Sequence, residues 1–286
     1  MPLREIMAIK AKDLRRAFSE KGLIERLMRL LLENREKWPL TDLYLTHPVL
    51  KSKECTKEFK QIVLKFIESA QLEEICRLVN SATSTLLTYV LAGGSVGSGL
   101  VRDTTNWILA QRLEDDGWHW KPKAELPKGA RSEAWSTAAV FAALKAVNDP
   151  DPKYLNSVIA FLSEGWIVNR WGGFPEVALI YLGAGGIDTR YSMVRDATSL
   201  FRESQLPNGA WKGYSAKTAE GGLFRTCVVL NGLTAVGLQL NDRVVTRGLE
   251  FAKSNIDKIA EAKWGGILIQ GLCNLSSALL RLKLIE

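Results

Sequence analysis

The stretch SLFRESQLPNGAWKGYSA (Ser199 to Ala216) decides how this chain folds. An amphipathic, helix-like run ends at Gln205, passes a Pro-Asn-Gly turn and closes on Trp211. Asn208-Gly209 tolerates the left-handed backbone that a tight reversal needs. Gln205 offers two donors and an acceptor, enough to tie loose backbone groups at adjoining helix ends. Trp211 supplies a large flat face to pack against that amide and against the next repeat. The set reads as a structural clasp between outer helices. A related string, WILAQRLEDDGWHW (Trp107 to Trp120), lies upstream, so the feature repeats, and repeats set architecture.

Outward from these two turns the chain alternates. Amphipathic stretches DTTNWILAQRL, YLNSVIAFLSEG, YSMVRDATSLFRESQ and VVTRGLEFAKSN carry apolar residues at helical spacing. Each leads to a Gly/Trp turn: DDGWHW, NRWGGF, PNGAW and AKWGGI, with Trp118, Trp171 and Trp264 as variants of the clasp. Each turn is followed by a nearly uncharged stretch: AWSTAAVFAALKAV, VALIYLGAGG, LFRTCVVLNGLTAVGL and ILIQGLCNLSSALL. A helix apolar all round must be buried all round. Four charged and four uncharged helices in alternation therefore predict two concentric layers, charged outside and uncharged inside. VALIYLG also suits a buried parallel strand, but the Ala, Gly and Leu content of its counterparts favours helix. The fold class expected is all-α.

The N-terminal third reads as helical too, in LIERLMRLLLENREKW, EFKQIVLKFIESAQ and EEICRLVNSATSTLLTYVLAG, with Pro39 and Pro48 bracketing a loop or boundary. The division expected is a helical extension over 1–54 and the layered body over 55–286, its pattern strongest over 105–286. Val79 to Val101 carries no charge, but its hydroxyls and the AGGSVGSG break point to a buried helix and a turn, not a membrane span.

The bulk numbers fit one large or two modest soluble domains: 286 residues, 47% hydrophobic, 24% charged, net charge +7. Residues 1–40 hold ten Lys/Arg against six Asp/Glu. IKAKDLRRAF (Ile9 to Phe18) suits a solvated helix face or peripheral contact with an anionic membrane surface. Nucleic acid is not expected, because no basic run is interleaved with aromatic residues. Cys55, Cys76, Cys227 and Cys273 lack C-x-x-C spacing and no signal-peptide pattern opens the chain, so reduced thiols in a cytoplasmic protein are expected.

QLPNGAW resembles the Q-x(2–5)-G-x-W repeat of squalene-hopene cyclases and related terpenoid cyclases, the QW motif. Gln111 to Gly117 with Trp118 and Trp120 is an imperfect copy, and RWGGF and KWGGI are similar to the weaker turns of that superfamily, which includes the protein prenyltransferase β-subunits. The resemblance covers Thr105 to Glu286. It implies a single α/α toroid whose inner helices surround an apolar cavity for isoprenoid chains. Trp135, Phe141, Tyr181 and Phe224 would line that cavity and stabilise a carbocation through their faces.

Against the D-x-D-D-T-A acid motif of these cyclases the chain has EAWSTAAVFAAL: Glu133 takes the first Asp position, Trp135 that of the acid and Ser136 the last, while Thr137-Ala138 matches the tail. Glu133, Glu176 and Glu220 stand close to inner-helix starts and are the candidate acids. Each also suits a first-turn acid, and the helix dipole there favours the carboxylate, whereas a general acid needs burial to raise its pKa. FRTCVVLNGL resembles the prenyltransferase helix YHTCYCLSGL with Arg225 in the place of a zinc-binding His. His47 and His119 fall in loop-like surroundings without metal-ligand spacing, so no zinc is expected; Mg²⁺ enters only if the substrate is a diphosphate. Arg225, a lone cation in an uncharged helix, either pairs with Glu220 or Glu176 or receives a diphosphate, with Arg131 and Arg190 as neighbours. The function expected is binding and cyclising an isoprenoid or other apolar small molecule. The alternatives are an inert toroid holding a lipid or a protein partner, and a packed scaffold.

Overall fold

The computed structural model describes residues 12–147, 152–167, 171, 174–213, 219–261, 263 and 265–286, and at 152–155, 167 and 219–220 only the helix itself. No strand occurs among them, and VALIYLG lies inside a helix, so the chain is all-α as its pattern predicts. No helix among the described residues is long and apolar enough to cross a membrane.

The helices are α1 (12–19), α2 (Leu23–Glu33), α3 (His47–Lys51), α4 (Lys57–Ser69), α5 (Leu72–Ile75), α6 (Val79–Ala92) and α7 (Gly99–Ala110). They continue as α8 (Ala134–Ala146), α9 (Pro152–Ile167), α10 (Pro175–Ala184), α11 (Ser192–Ser204), α12 (Ala219–Ala235), α13 (Arg243–Ser254), α14 (Ile256–Ala260) and α15 (Ile267–Arg281). Local chemistry fixes several ends. Thr56 and Ser98 accept N–H bonds from Phe59 and Val101 at the heads of α4 and α7, the side-chain capping that orphan donors require. Pro175 opens α10, where its missing N–H goes unused.

The uncharged helices are each other's neighbours. α6 packs on α8, α8 on α10, α10 on α12 and α12 on α15; α15 touches α3 and the 3₁₀ segment Leu40–Thr46, which lie against α6. The charged helices attach to them: α4 and α7 to α6, α9 to α8, α13 to α12 and α14 to α15, with α11 against α9. Small residues permit the close inner contacts. A Cβ on Gly183 of α10 would stand 2.3 Å from the Ala235 carbonyl oxygen of α12, so any larger residue would drive the two helices apart. The Ala/Gly richness of these stretches is thus a packing requirement.

The N-terminal third departs from its reading in two places. EEICRLVNSATSTLLTYVLAG is not one helix, because Leu78 is extended between α5 and α6. The segment between Pro39 and Pro48 is not a loop: it forms the 3₁₀ segment with Leu43, Leu45 and Thr46 buried, and Pro48 lies in the first turn of α3. Residues 12–18 do form a solvated face, with Leu14 and Phe18 turned inward.

Candidate functional site

The turns come first, because they position the inner helices. The buried Trp211 indole N–H donates to the Phe201 carbonyl at 2.9 Å, and its backbone N–H donates to Thr226 Oγ1 at 3.1 Å. Trp118 repeats both bonds, with its indole on the Ile108 carbonyl at 2.7 Å and its backbone N–H on Thr137 Oγ1 at 2.9 Å. The Trp171 indole donates to the Leu162 carbonyl at 2.7 Å. Each indole therefore satisfies a carbonyl in the second half of α7, α9 or α11. At Trp118 and Trp211 a threonine of the next inner helix also takes the turn's amide. Thr137, which stands in the tail of the acid motif, serves this purpose. Trp264 lies outside the described residues.

Gln205 completes the set. Its amide donates to the Gly209 and Val244 carbonyls, both at 2.9 Å, tying α11 to the first turn of α13. Gly209 has φ +89°, and a Cβ there would stand 2.2 Å from the Arg247 carbonyl oxygen, so the position needs glycine for both backbone sign and space. Gln111 makes no such bridge: it bonds the Trp107 carbonyl and the Lys123 N–H, both close in sequence. Asp115, in the same turn, accepts from the backbone and hydroxyl of Ser132.

Among the uncharged helices lies a cavity of about 580 Å³, within the roughly 300–1,000 Å³ typical of small-molecule sites. Trp135, Phe174, Tyr181 and Phe224 give it aromatic faces; Leu87, Val90, Val177, Ile180 and Val228 add aliphatic wall. Three of the four predicted lining residues are there. Phe141 is not. It is 2% exposed and packs against Gly185, where a Cβ would come within 2.3 Å of its ring. Since α8 is apolar on every face, periodicity did not tell which face meets the cavity.

The expected acids and cations do not converge on this space. Glu133 stands at the N-cap position of α8, where its side chain takes no backbone N–H but accepts from Ser136 Oγ at 3.1 Å, with His119 Nε2 3.9 Å away. Glu176 is 0% exposed, and its Oε1 lies 3.2 Å from Arg225 Nε. Arg225 also donates to the Lys212 carbonyl at 2.9 Å. Of the two readings of Arg225, the ion pair with Glu176 is the one present. Arg131 is exposed in the turn before α8, and Arg190 is exposed against Asp188 at 2.9 Å. None of these five residues lines the cavity, so the cation-bearing wall lies elsewhere than expected. Glu220 is the second residue of α12, and its side chain lies outside the described residues.

Sequence reasoning missed the polar end of the cavity. It is built by Tyr44, His47 and Lys51 from one end of the chain and by Asn231, Cys273 and Arg281 from the other. His47 opens α3 instead of lying in a loop, and its Nε2 stands 2.9 Å from Thr88 Oγ1. Arg281 donates to the Asn231 side chain and, at 3.3 Å, to its carbonyl. Asn231 donates in turn to Asn274 at 2.7 Å, and Asn274 to the Gln270 carbonyl at 2.7 Å.

Burial sets the charge states there. The His47 imidazole is pushed down to about 3 by burial, helped by Lys51 and Arg281, so it is neutral. Burial pushes Tyr181 up to about 12 and raises Cys273 as well, which keeps both protonated. Lys51 opens onto the cavity and onto a second pocket, yet surrounding protein and Arg281 lower its ammonium to about 8. Burial lowers Arg281 to about 10. At pH 7 the described lining carries two positive charges and no carboxylate.

No family model matches this chain, and no curated protein matches it. All four cysteines are free thiols.

Proposed function

We propose that the protein holds an isoprenoid or other long apolar molecule in this cavity, within a double ring of helices of the α/α toroid type. The successive contacts from α6 round to α3 and back to α6 support the ring, with the charged helices as its outer layer. The observation that carries the binding reading is the cavity itself: aromatic and aliphatic over most of its described wall and free of any described carboxylate. Burying an apolar chain against such a wall is favourable by roughly 25 cal/mol per Å² of apolar surface removed from water.

Cyclisation is the second reading, favoured by the aromatic faces of Trp135, Tyr181 and Phe224. Two considerations weigh against it. A protonating acid must reach the ligand, and Glu133 and Glu176 are engaged outside the cavity. A carbocation would also share the space with Lys51 and Arg281, whose charges repel it. Glu220 is the remaining candidate acid.

Incubation with farnesol, geranylgeraniol and squalene, followed by extraction, separates the readings. Binding with unchanged ligand recovered is expected. Cyclic products that disappear in Glu220→Gln would establish the second reading, and no binding at all would remove both.

A further inference from the structure

Arg225 is matched by a carboxylate; the cavity's own cations are not. Lys51 has no ion pair or hydrogen bond among the described residues, and Arg281 has no carboxylate partner there. Inside the cavity the titratable neighbours of this pair are Tyr44, His47, Tyr181 and Cys273, all neutral at pH 7. Outside, Lys51 forms the border with a second pocket lined by Arg15, Lys53, Lys283 and Glu286. Glu286 lies 3.5 Å from Lys53, so the approach to Lys51 is positive on balance.

Position alone does not explain the pair. Lys51 and Arg281 each end a helix, where a cation suits the dipole. Lys51 is exposed, yet it borders the hydrophobic chamber as well as the second pocket, and a lysine turned wholly to solvent would satisfy the dipole equally well. Arg281 is also held in a fixed orientation: its bonds to Asn231 all come from Nη1, and Asn231 is itself fixed by Asn274. That leaves the rest of a guanidinium fork pre-oriented at the cavity, the geometry that suits an oxyanion.

Resting on the reading that the cavity holds an apolar chain, we propose that the ligand is an amphiphile with an anionic head, a carboxylate or a phosphate, bound between Lys51 and Arg281. The tail then lies along Tyr181, Val228 and Phe224 toward Trp135. The head replaces the counter-charge that the protein does not supply, and the positive second pocket steers it to the entrance. Because the free Lys51 ammonium loses its proton near pH 8, anion binding above that pH requires proton uptake and weakens.

Calorimetric titration with dodecanoate, dodecyl phosphate and dodecan-1-ol tests this with one tail and three heads. The wild type should bind the better of the two anions about ten-fold or more tighter than the alcohol, the scale of a charge-assisted hydrogen bond. Whichever anion binds tighter identifies the head. Lys51→Met and Arg281→Met should each remove most of that preference, read as the ratio of anion to alcohol affinity within the same variant. In the wild type, which needs no variant to fold, anion affinity should fall as pH rises past 8 while alcohol affinity stays flat. Equal affinities for acid and alcohol, or a preference retained in both variants, would overturn the anionic head and leave apolar binding standing. Failure of all three ligands to bind would overturn both.

Discussion

Arg225 and Arg281 are each the sole cation of a mostly apolar helix, and they live in opposite electrostatic circumstances. Arg225 has Glu176 at 3.2 Å and the Lys212 carbonyl at 2.9 Å, and Lys212 directly follows the clasp residue Trp211. Its charge is consumed in holding α10, α12 and the turn together. Arg281 is oriented by two asparagines, faces a cavity and, among the described lining residues, has only another cation, Lys51, for a charged neighbour. The first arrangement is complete in the folded chain. The second is complete only with something added. Arg281 is partly buried and Lys51 exposed, and a cation facing an apolar chamber with no described carboxylate favours an added anion. On the proposed reading the contrast separates a structural pole from a binding pole.

The largest expected effect lies at the structural pole. Trp211→Ala removes a buried indole together with its bond to Phe201, and should cost about 3–5 kcal/mol in urea unfolding. The affinity of whatever folded protein remains should be unchanged. A stable Trp211→Ala protein that had lost ligand binding would reverse the roles of the two regions.

Glu176→Gln comes next. It leaves Arg225 buried on one side without its carboxylate, and about 2–3 kcal/mol should be lost. The loss is smaller than for a fully buried pair because the Arg225 side chain is 26% exposed. Equal stability of wild type and mutant would mean that this ion pair contributes nothing and that the contrast with Arg281 is empty.

His47 sharpens the comparison through pH. Its folded-state pKa is depressed to about 3 against an ordinary 6.5, so below pH 6.5 the unfolded chain binds a proton that the folded chain refuses. Stability contributed by this site is therefore intact above pH 6.5 and falls continuously toward pH 3, by about 1–2 kcal/mol at pH 5. His47→Gln should flatten that part of the profile. An unchanged slope would place the imidazole in a wetter, less positive setting than the one seen.

The smallest effect should have the opposite sign. Lys51→Met in the ligand-free protein removes a cation that surrounding protein and Arg281 disfavour; because the side chain is exposed and solvent screens it, the change should be neutral or stabilising by up to about 1 kcal/mol. A clear destabilisation would reveal that Lys51 has a structural partner.

The two poles also differ in how far the sequence announces them. The clasp was legible because it is local: Gln205, Gly209 and Trp211 fall within one turn, and the same spacing of turn and helix recurs at Trp118 and Trp171. The all-helical character followed from apolar spacing and the alternation of charged and uncharged stretches. Lys51 and Arg281 were not legible, because each sits in a short charged run, KSKE and RLKL, that resembles an ordinary solvated helix end. Only the packing of α15 on α3 brings opposite ends of the chain together. The position of Glu133 at the head of α8 was legible, but the packing of Phe141 against Gly185 depends on helix rotation, which a mostly apolar helix does not encode in its periodicity.

The most direct test is a structure of the protein with dodecanoate or dodecyl phosphate bound. The head should lie within about 3 Å of Lys51 Nζ and the Arg281 guanidinium. The tail should run along Tyr181 and Phe224, with the Arg225–Glu176 pair undisturbed. A head seated on Arg225, or a ligand lying outside the cavity, would contradict the assignment of the two poles.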